Sequence, residues 1–325
     1  MYNVYVQKYY AGMFPYIEDG KCGDIEYVLR TDFPNYIDIA NDNDIFINNA
    51  EDVNSYAHMN IFRSIDNIPN CFKMQPHSKF RQYAELLKMG IHTPTTILGG
   101  TREVRCLYKS IDKNKRYIFK PCWSARSVGI SRPLDHKEFY RFCRDLCNDK
   151  YYEDDNWLKF EELYHTKNVH RVTEDTYEFS ILAKKESDYV IQEHIENVHK
   201  EFRILVFNIK DTADDMDKYS MWYLRDNTSL ERDVRFKSRE LSYGDIRHYK
   251  NVCEFIPTLR KMVLLQRVPW LAFDVYVTKD NQIGVFEYSI EFGTSAVDNI
   301  EKFSKLLNKS FKQWLVRNIK SRMLK

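Results

Sequence analysis

Glycine and proline are scarce in this sequence of 325 residues, with 10 and 9 copies, and no low-complexity tract or internal repeat is present. Together with an aromatic content of 15%, this composition indicates a globular chain long enough to bury a sizeable core. An excess of one charge sign is also lacking, because 49 Lys and Arg offset 47 Asp and Glu and leave a net charge of +2. This balance argues against a general nucleic-acid or membrane-surface binder, although it leaves room for a local basic patch.

Paired cysteines and long apolar runs are missing as well. The seven cysteines stand apart, at positions 22, 71, 106, 122, 143, 147 and 253, and no two of them have CxxC spacing. An odd number of separated cysteines argues against a zinc site or a disulfide framework. No apolar run approaches the roughly 18 residues of a spanning helix, and residues 1–6 begin a strand and not a signal peptide. The sequence therefore predicts a cytoplasmic protein with no membrane segment.

Two apolar runs near the C-terminus, 271–277 and 284–291, contain acids. The turn residues 278–282 between them predict a β-hairpin in which Asp274 and Glu287 lie opposite each other. A lone carboxylate in an apolar strand is costly unless a cation compensates it, so the pair indicates a cation site. Mg²⁺ prefers one or two carboxylates together with nucleotide phosphates. Neutralisation by Lys or Arg is the alternative.

Two lysines stand at the ends of predicted elements. Lys79 begins a helix predicted over 78–89, and Lys120 ends a strand just before a loop of small residues. Small residues let backbone N–H groups approach a phosphate, and a nearby lysine adds positive charge. The loop after Lys120 has one glycine and fits neither the P-loop nor the dinucleotide fingerprint. A solvated lysine at a strand end is therefore the alternative.

A polar turn follows the strand predicted over 189–193. Gln192 and Glu193 end this strand, and His194 and Ile195 come directly after it. Such a turn presents backbone groups to the edge of a base and a carboxylate to ribose hydroxyls.

The next two strands carry an acid and two arginines. Glu201 and Arg203 point to the same face, because side chains alternate along a strand, and an ordinary surface ion pair is the alternative. Arg225 ends the strand predicted over 219–224, within reach of a phosphate or simply solvated.

The remaining segments give a coarse outline of the chain. We expect a small α/β unit over 1–76, with strands at Val4 and over 44–48. The other predicted segments are helices at about 135–148, 246–266 and 297–323 and a charged connector at 228–245. The last helix is basic and amphipathic, and its predicted apolar face begins at Ile300.

Five motifs occur in one order that resembles the ATP-grasp ligases. The segments that carry the resemblance are 78–79 with 90–95 (Lys and Gly-Ile-His-Thr-Pro-Thr), 117–121 (the phosphate-binding lysine strand), 190–195 (the adenine hinge), 201–203 (Glu-Phe-Arg), and 273–275 with 286–289 (the two metal strands). The match spans about residues 70–300 and looks closest to the branch of ribosomal-protein glutamate ligases and peptide ligases. Each motif is weak alone, but their common order is specific.

The resemblance implies a role for each candidate residue. Lys79 and Lys120 would bind ATP phosphates. The adenine hinge would be formed by Gln192, Glu193, His194 and Ile195, and Glu201 would hold the ribose. Arg203 and Arg225 would steady the transferring phosphoryl group or the acyl phosphate. The metal ligands would be Asp274, Glu287 and Ser289.

The resemblance also implies the architecture. The fold class is α/β, with an ATP-grasp fold whose two lobes clamp ATP, after a small Rossmann-like domain. The implied domains are 1–76, 77–192 with an insertion at about 149–180, and 193–325. The implied activity is ATP- and Mg²⁺-dependent ligation of a carboxylate to an amine on an amino acid, peptide or protein. The sequence leaves association into a homo-oligomer open.

One departure from the family pattern keeps other activities in view. Ser289 stands where the family has a metal-binding Asn, and Glu291, on the same face of the strand, is a substitute ligand. A small-molecule kinase on the same fold and a catalytically silent nucleotide-binding or assembly protein are the alternatives.

Overall fold

The computed structural model describes residues 1–6, 16–22, 24–30, 44–48, 71–73, 78–99, 109, 111–122, 130–146, 189–210, 215–225, 238–290 and 297–323. Thirteen strands and five α-helices lie within these segments, and the strands form three sheets. No helix in these segments is both long and apolar enough to cross a membrane.

The first sheet is largely parallel. Its spatial order is β2-β3-β1-β4-β5, with β1 (Tyr2–Val6), β2 (Gly20–Cys22), β3 (Ile25–Arg30), β4 (Asp44–Asn48) and β5 (Cys71–Lys73). Within it, β2 runs antiparallel to β3 and the other pairs are parallel. The predicted strands at Val4 and over 44–48 are confirmed. The sequence did not indicate β3, although Ile25 and Tyr27 alternate into the core, because Asp, Asn and Tyr surround it.

The second sheet is small and antiparallel. It consists of β6 (Thr96–Gly99), β7 (Tyr117–Pro121) and β8 (Tyr189–Glu193) in the order β6-β8-β7. The helix α1 (Lys79–Lys88) precedes it, and α2 (His136–Leu146) follows β7. The predicted insertion at 149–180 lies outside the described residues.

The third sheet forms the centre of the core. It consists of β9 (Val198–Phe207), β10 (Ser220–Arg225), β11 (Ser238–Glu240), β12 (Trp270–Thr278) and β13 (Ile283–Ser289), in the order β11-β10-β9-β12-β13. All its pairs are antiparallel. All nine residues of β12 are buried, because helices cover the sheet. These helices are α4 (Lys250–Gln266) and α5 (Ile300–Met323), and a short helix α3 (Tyr243–Ile246) precedes α4.

The helix predicted at about 246–266 is confirmed as α4, which begins at Lys250. Two other expectations for this region are wrong in detail. The predicted connector at 228–245 contains β11 and the start of the short α3, which Ser242 caps. In α5, Ile300 is 51% exposed and does not belong to the buried face, which starts at Phe303.

The helix α1 packs against β13 and so joins the second sheet to the third. The backbone N–H of Tyr288 donates to Gln82 Oε1 at 3.2 Å, and the Tyr288 hydroxyl donates to Glu85 Oε2 at 2.6 Å. Burial of Tyr288 and the neighbouring Glu85 carboxylate raise the pKa of this hydroxyl, so it stays a donor. The contact fixes the start of α1, with Lys79, beside the strand that carries Glu287.

Candidate active site

Asp274 and Glu287 lie opposite each other in the hairpin of β12 and β13, so the predicted hairpin is confirmed. The turn is closed by Thr278, whose Oγ1 accepts the N–H of Gln282 at 3.0 Å. Asn281 adopts a φ of 61° there, a left-handed conformation that Asn tolerates well. Asp274 is only 7% exposed, and the Glu287 side chain is 39% exposed.

Two arginines surround the Asp274 carboxylate. Arg203 lies opposite Asp274 in β9 and donates from NH1 to its Oδ1 at 3.2 Å. Arg225 approaches the same oxygen from β10, with NH2 at 3.0 Å. Burial lowers the pKa of Arg225, but Asp274 and the carboxylates of Glu201 and Glu287 outweigh burial and raise it. Two arginines therefore balance this buried acid.

Ser289 contacts Arg203 as well. NH2 of Arg203 donates to Ser289 Oγ at 3.1 Å, while NH1 of the same guanidinium faces Asp274. Two neighbouring strands of the hairpin thus hold the planar arginine in one orientation. Glu291, the substitute metal ligand, lies outside the described residues.

The predicted cations converge on Glu287. Lys79 Nζ lies 3.9 Å from Glu287 Oε2. Burial raises the pKa of the Glu287 carboxyl, but four cations overcome this and lower it to about 2, namely Lys79, Lys120, Arg203 and Arg225. The sequence places these four side chains far apart, and the fold brings them around one carboxylate.

Local structure positions both lysines. Ser78 caps α1 by accepting the N–H of Arg81 on its side-chain oxygen at 3.4 Å. The N–H of Lys79 donates to the carbonyl of Cys122 at 3.1 Å, which ties the start of α1 to the end of β7. Lys120, near the end of β7, donates from Nζ to Gln192 Oε1 at 2.6 Å.

The hinge residues are held mainly through the backbone. The N–H of Glu193 donates to Thr95 O at 2.9 Å, and the N–H of His194 donates to Arg116 O at 2.8 Å. The Glu193 carboxylate pairs with Lys115 Nζ at 2.8 Å and raises the pKa of that lysine. The Glu193 side chain is therefore engaged with Lys115, while backbone hydrogen bonds position Glu193 and His194, the two residues before Ile195.

Tyr276 joins the site without having been predicted from the sequence. It lies opposite Glu201, and its hydroxyl is 2.6 Å from His92 Nδ1. Its ring centroid is 4.3 Å from that of Phe286. Gly284 permits this packing, since a Cβ there would lie 2.4 Å from the Tyr276 ring. The alternation Asp274, Tyr276 along β12 is the signal that points to it.

The donor set fits a magnesium ion that shares its shell with phosphates. The described residues contain no group of three or more His, Cys, Asp or Glu that could enclose a metal by themselves. Asp274 and Glu287 offer two carboxylates, and Mg²⁺ takes one or two such ligands and completes its shell with phosphate oxygens and water.

No known protein family matches the sequence, and no curated protein matches it either. The similarity lies in structure. D-cycloserine synthetase DcsG shares 11% identity and a TM-score of 0.57 over 94% of this chain and 98% of its own. A RiPP-associated ATP-grasp ligase of Chryseobacterium gregarium, solved with ADP and a leader and core peptide, shares 12% identity and a TM-score of 0.50, over 98% and 97%. The chain has the ATP-grasp fold.

The ATP-grasp fold predicted from the order of the five motifs is thereby confirmed. The chain spans about three fifths of another solved structure that it matches. D-alanine-D-alanine ligase of Helicobacter pylori shares 14% identity and a TM-score of 0.42 over 72% of this chain, which spans only 58% of that ligase.

Proposed function

We propose that the protein is an ATP- and Mg²⁺-dependent carboxylate–amine ligase that works through an acyl phosphate. The observation that carries this proposal is the cluster in which Lys79 contacts Glu287 while Arg203 and Arg225 contact the opposite acid, Asp274. The second sheet and α1 supply the two lysines, and the third sheet supplies the two arginines. A cluster of this charge suits a polyphosphate, and its acids suit the accompanying metal ion.

The phosphates of ATP bind Lys79 and Lys120, which lie at the adjoining ends of α1 and β7. Asp274 and Glu287 would hold Mg²⁺, and Ser289 stands at the position where the family has a third metal ligand, an Asn. When bound, the metal ion neutralises charge on the phosphates. When ATP binds, its phosphates become a second anionic partner for Arg203 and Arg225. The metal ion then shares the neutralisation of Asp274 with these arginines.

The nucleoside binds along the end of β8 and β9. The backbone from Glu193 through His194 to Ile195 faces the adenine edge, next to Gln192. The Glu201 carboxylate accepts hydrogen bonds from the ribose. Tyr276 lies opposite Glu201 on the same face, and its hydroxyl is held by His92.

Arg203 and Arg225 steady the group that is transferred. A carboxylate oxygen of the substrate attacks the γ-phosphorus, and the bond to the ADP oxygen breaks. The amine then attacks the carbonyl carbon of the acyl phosphate. The bond between this carbon and the phosphate oxygen breaks, phosphate leaves with the electron pair, and the amine loses its proton to solvent. The protein contributes positioning and charge stabilisation, so no nucleophilic side chain is required.

The chain organisation and the substrate class are further parts of the proposal. We assign 1–76 to a Rossmann-like domain, supported by the mainly parallel first sheet, and 77–192 and 193–325 to the two clamping lobes. We also propose that one substrate is an amino acid, peptide or protein, because a similar structure holds a leader and core peptide. The cysteine pattern supports a cytoplasmic location.

Trapping with hydroxylamine tests the reaction class, because this small amine attacks acyl phosphates of many carboxylic acids. Wild-type protein is incubated with ATP, Mg²⁺, hydroxylamine and a panel of amino acids and peptides. We expect ADP and a hydroxamate in equal amounts with at least one carboxylate. A stable phosphorylated product in place of the hydroxamate would support the kinase alternative and refute the ligase.

A further inference from the structure

A chain of three polar side chains crosses the second sheet and ends at Lys120. Gln192 lies in the central strand β8, directly opposite Thr96 in β6. On the other side, Gln192 pairs with Ile118 of β7, which places Lys120 at the diagonal position on the same face. Lys120 Nζ lies 2.6 Å from Gln192 Oε1, and Gln192 Nε2 lies 3.1 Å from Thr96 Oγ1.

The chemistry of the groups fixes the direction of each hydrogen bond. An ammonium has donors only, so the carbonyl oxygen of the Gln192 amide must face Lys120. The amide nitrogen then faces Thr96 and donates to its hydroxyl, which in turn donates to the carbonyl of Pro94 at 2.9 Å. The Pro94 carbonyl can only accept. The whole relay, from Pro94 to Lys120, therefore has a single consistent orientation.

Burial makes this orientation matter. Gln192 is 6% exposed and Thr96 is 5% exposed, so water does not replace a missing partner at little cost. Without the Thr96 hydroxyl, the amide nitrogen of Gln192 lacks its acceptor and the amide is free to rotate or flip. A flipped amide would present its N–H₂ group to the Lys120 ammonium, donor against donor.

We propose that Thr96 is a positioning residue that acts through Gln192 and sets the place of the Lys120 ammonium in the site. Gln192 lies between Thr96 and Lys120, so Thr96 acts on the lysine through the Gln192 amide. Its hydroxyl fixes the amide, and the amide fixes the lysine. The expected effect on ATP rests on the proposed function, whereas the order of the relay in the nucleotide-free protein does not.

The experiment compares Thr96→Val, which keeps the branched shape and loses the hydroxyl, with Thr96→Ser, which keeps the hydroxyl. Thr96→Ala is a second loss variant for the case in which the valine variant folds poorly. Thr93→Val is the matched control, because Thr93 is 7% exposed and its hydroxyl has no hydrogen-bond partner within the part of the chain that the structure describes. Thermal unfolding verifies that each variant is folded.

The first readout needs no nucleotide. Hydrogen exchange of the Gln192 side-chain amide and of the Lys120 ammonium is measured by ¹⁵N NMR, with Gln192→Glu and Lys120→Met used to assign the signals. We expect Thr96→Val and Thr96→Ala to speed exchange at both groups by about tenfold, the effect of leaving one buried polar group without its hydrogen-bond partner. Thr96→Ser and Thr93→Val should exchange like the wild type. Unchanged exchange at Lys120 in both loss variants would overturn the proposal.

The second readout is the dissociation constant of ATP by titration calorimetry. We expect it to rise about tenfold in Thr96→Val and to stay within about twofold of wild type in Thr96→Ser. Faster exchange with an unchanged ATP affinity would mean that the relay orders Lys120 without serving nucleotide binding, and this result also overturns the proposal. If the wild type does not bind ATP at all, the proposed function fails, and the exchange data still decide the relay.

Discussion

Lys79 lies 3.9 Å from Glu287, so the first residue of α1 meets the acid of the last strand in the third sheet. The contact joins two segments separated by most of the chain. It is held in place by Gln82 and Glu85 of the same helix, which bind Tyr288 directly beside Glu287. The lysine and the acid therefore meet where α1 packs against β13.

Removal of the Lys79 charge tests this arrangement. We expect Lys79→Met to weaken ATP binding by about tenfold or more, because a lysine–phosphate contact is lost. The matched control is Lys88→Met, at the exposed end of the same helix. Equal ATP affinities of the two variants in titration calorimetry would exclude Lys79 from the nucleotide site.

The arginines are expected to act on turnover. Arg225→Lys keeps the charge but loses the fork that reaches Asp274 from a buried position. We expect the turnover number to fall by at least about tenfold while the ATP dissociation constant changes much less. The reason is that the contact of Arg225 with the phosphoryl group stabilises mainly the transition state of the transfer. Arg239→Lys, on the neighbouring strand β11 and largely exposed, is the control. A loss confined to ATP affinity would contradict this role.

Ser289→Ala separates two roles for this serine. Because Ser289 Oγ accepts a hydrogen bond from Arg203, we expect lower turnover with the half-saturating Mg²⁺ concentration within about twofold of wild type. A metal ligand behaves differently, since its loss raises the Mg²⁺ requirement by about tenfold or more. Titration of activity with Mg²⁺ at saturating ATP measures both quantities, and a large shift in the Mg²⁺ requirement would make Ser289 a ligand.

The depressed pKa of Glu287 has a consequence for acid stability. Its folded-state pKa of about 2 lies below the ordinary value of 4.5, so its ionised form stabilises the fold. This contribution is fully present above pH 4.5 and is lost as the pH falls toward about 2. Urea unfolding of wild type and Glu287→Gln at several pH values measures it. We expect the stability difference between them to shrink across that window, and a constant difference would show that the carboxyl is not perturbed.

The sequence was sufficient for those parts of the site that depend on local patterns. The two apolar runs around Asp274 and Glu287 and the turn between them specify a hairpin, although not the register shift between Asp274 and Val275. The N-cap at Ser78 likewise places Lys79 at the start of a helix. These features rest on spacing within about ten residues, which a single sequence contains.

Contacts between distant segments could not be predicted in this way. Lys120 and Gln192 are separated by 72 positions, and their hydrogen bond depends on the order of three strands. The pairing of Asp274 with Arg203 and Arg225 depends on β9 and β10 lying on one side of β12. The sequence names these residues as candidates, but only the sheet order decides which acid each arginine meets.

The decisive test of the proposed Mg·ATP site is ATP turnover by Lys120→Ala and Glu287→Ala, measured as ADP release beside the thermal unfolding of each protein. Because both side chains belong to that proposed site, we expect ADP release to be abolished in each variant while both proteins remain folded. Undiminished ADP release by either folded variant would contradict the site.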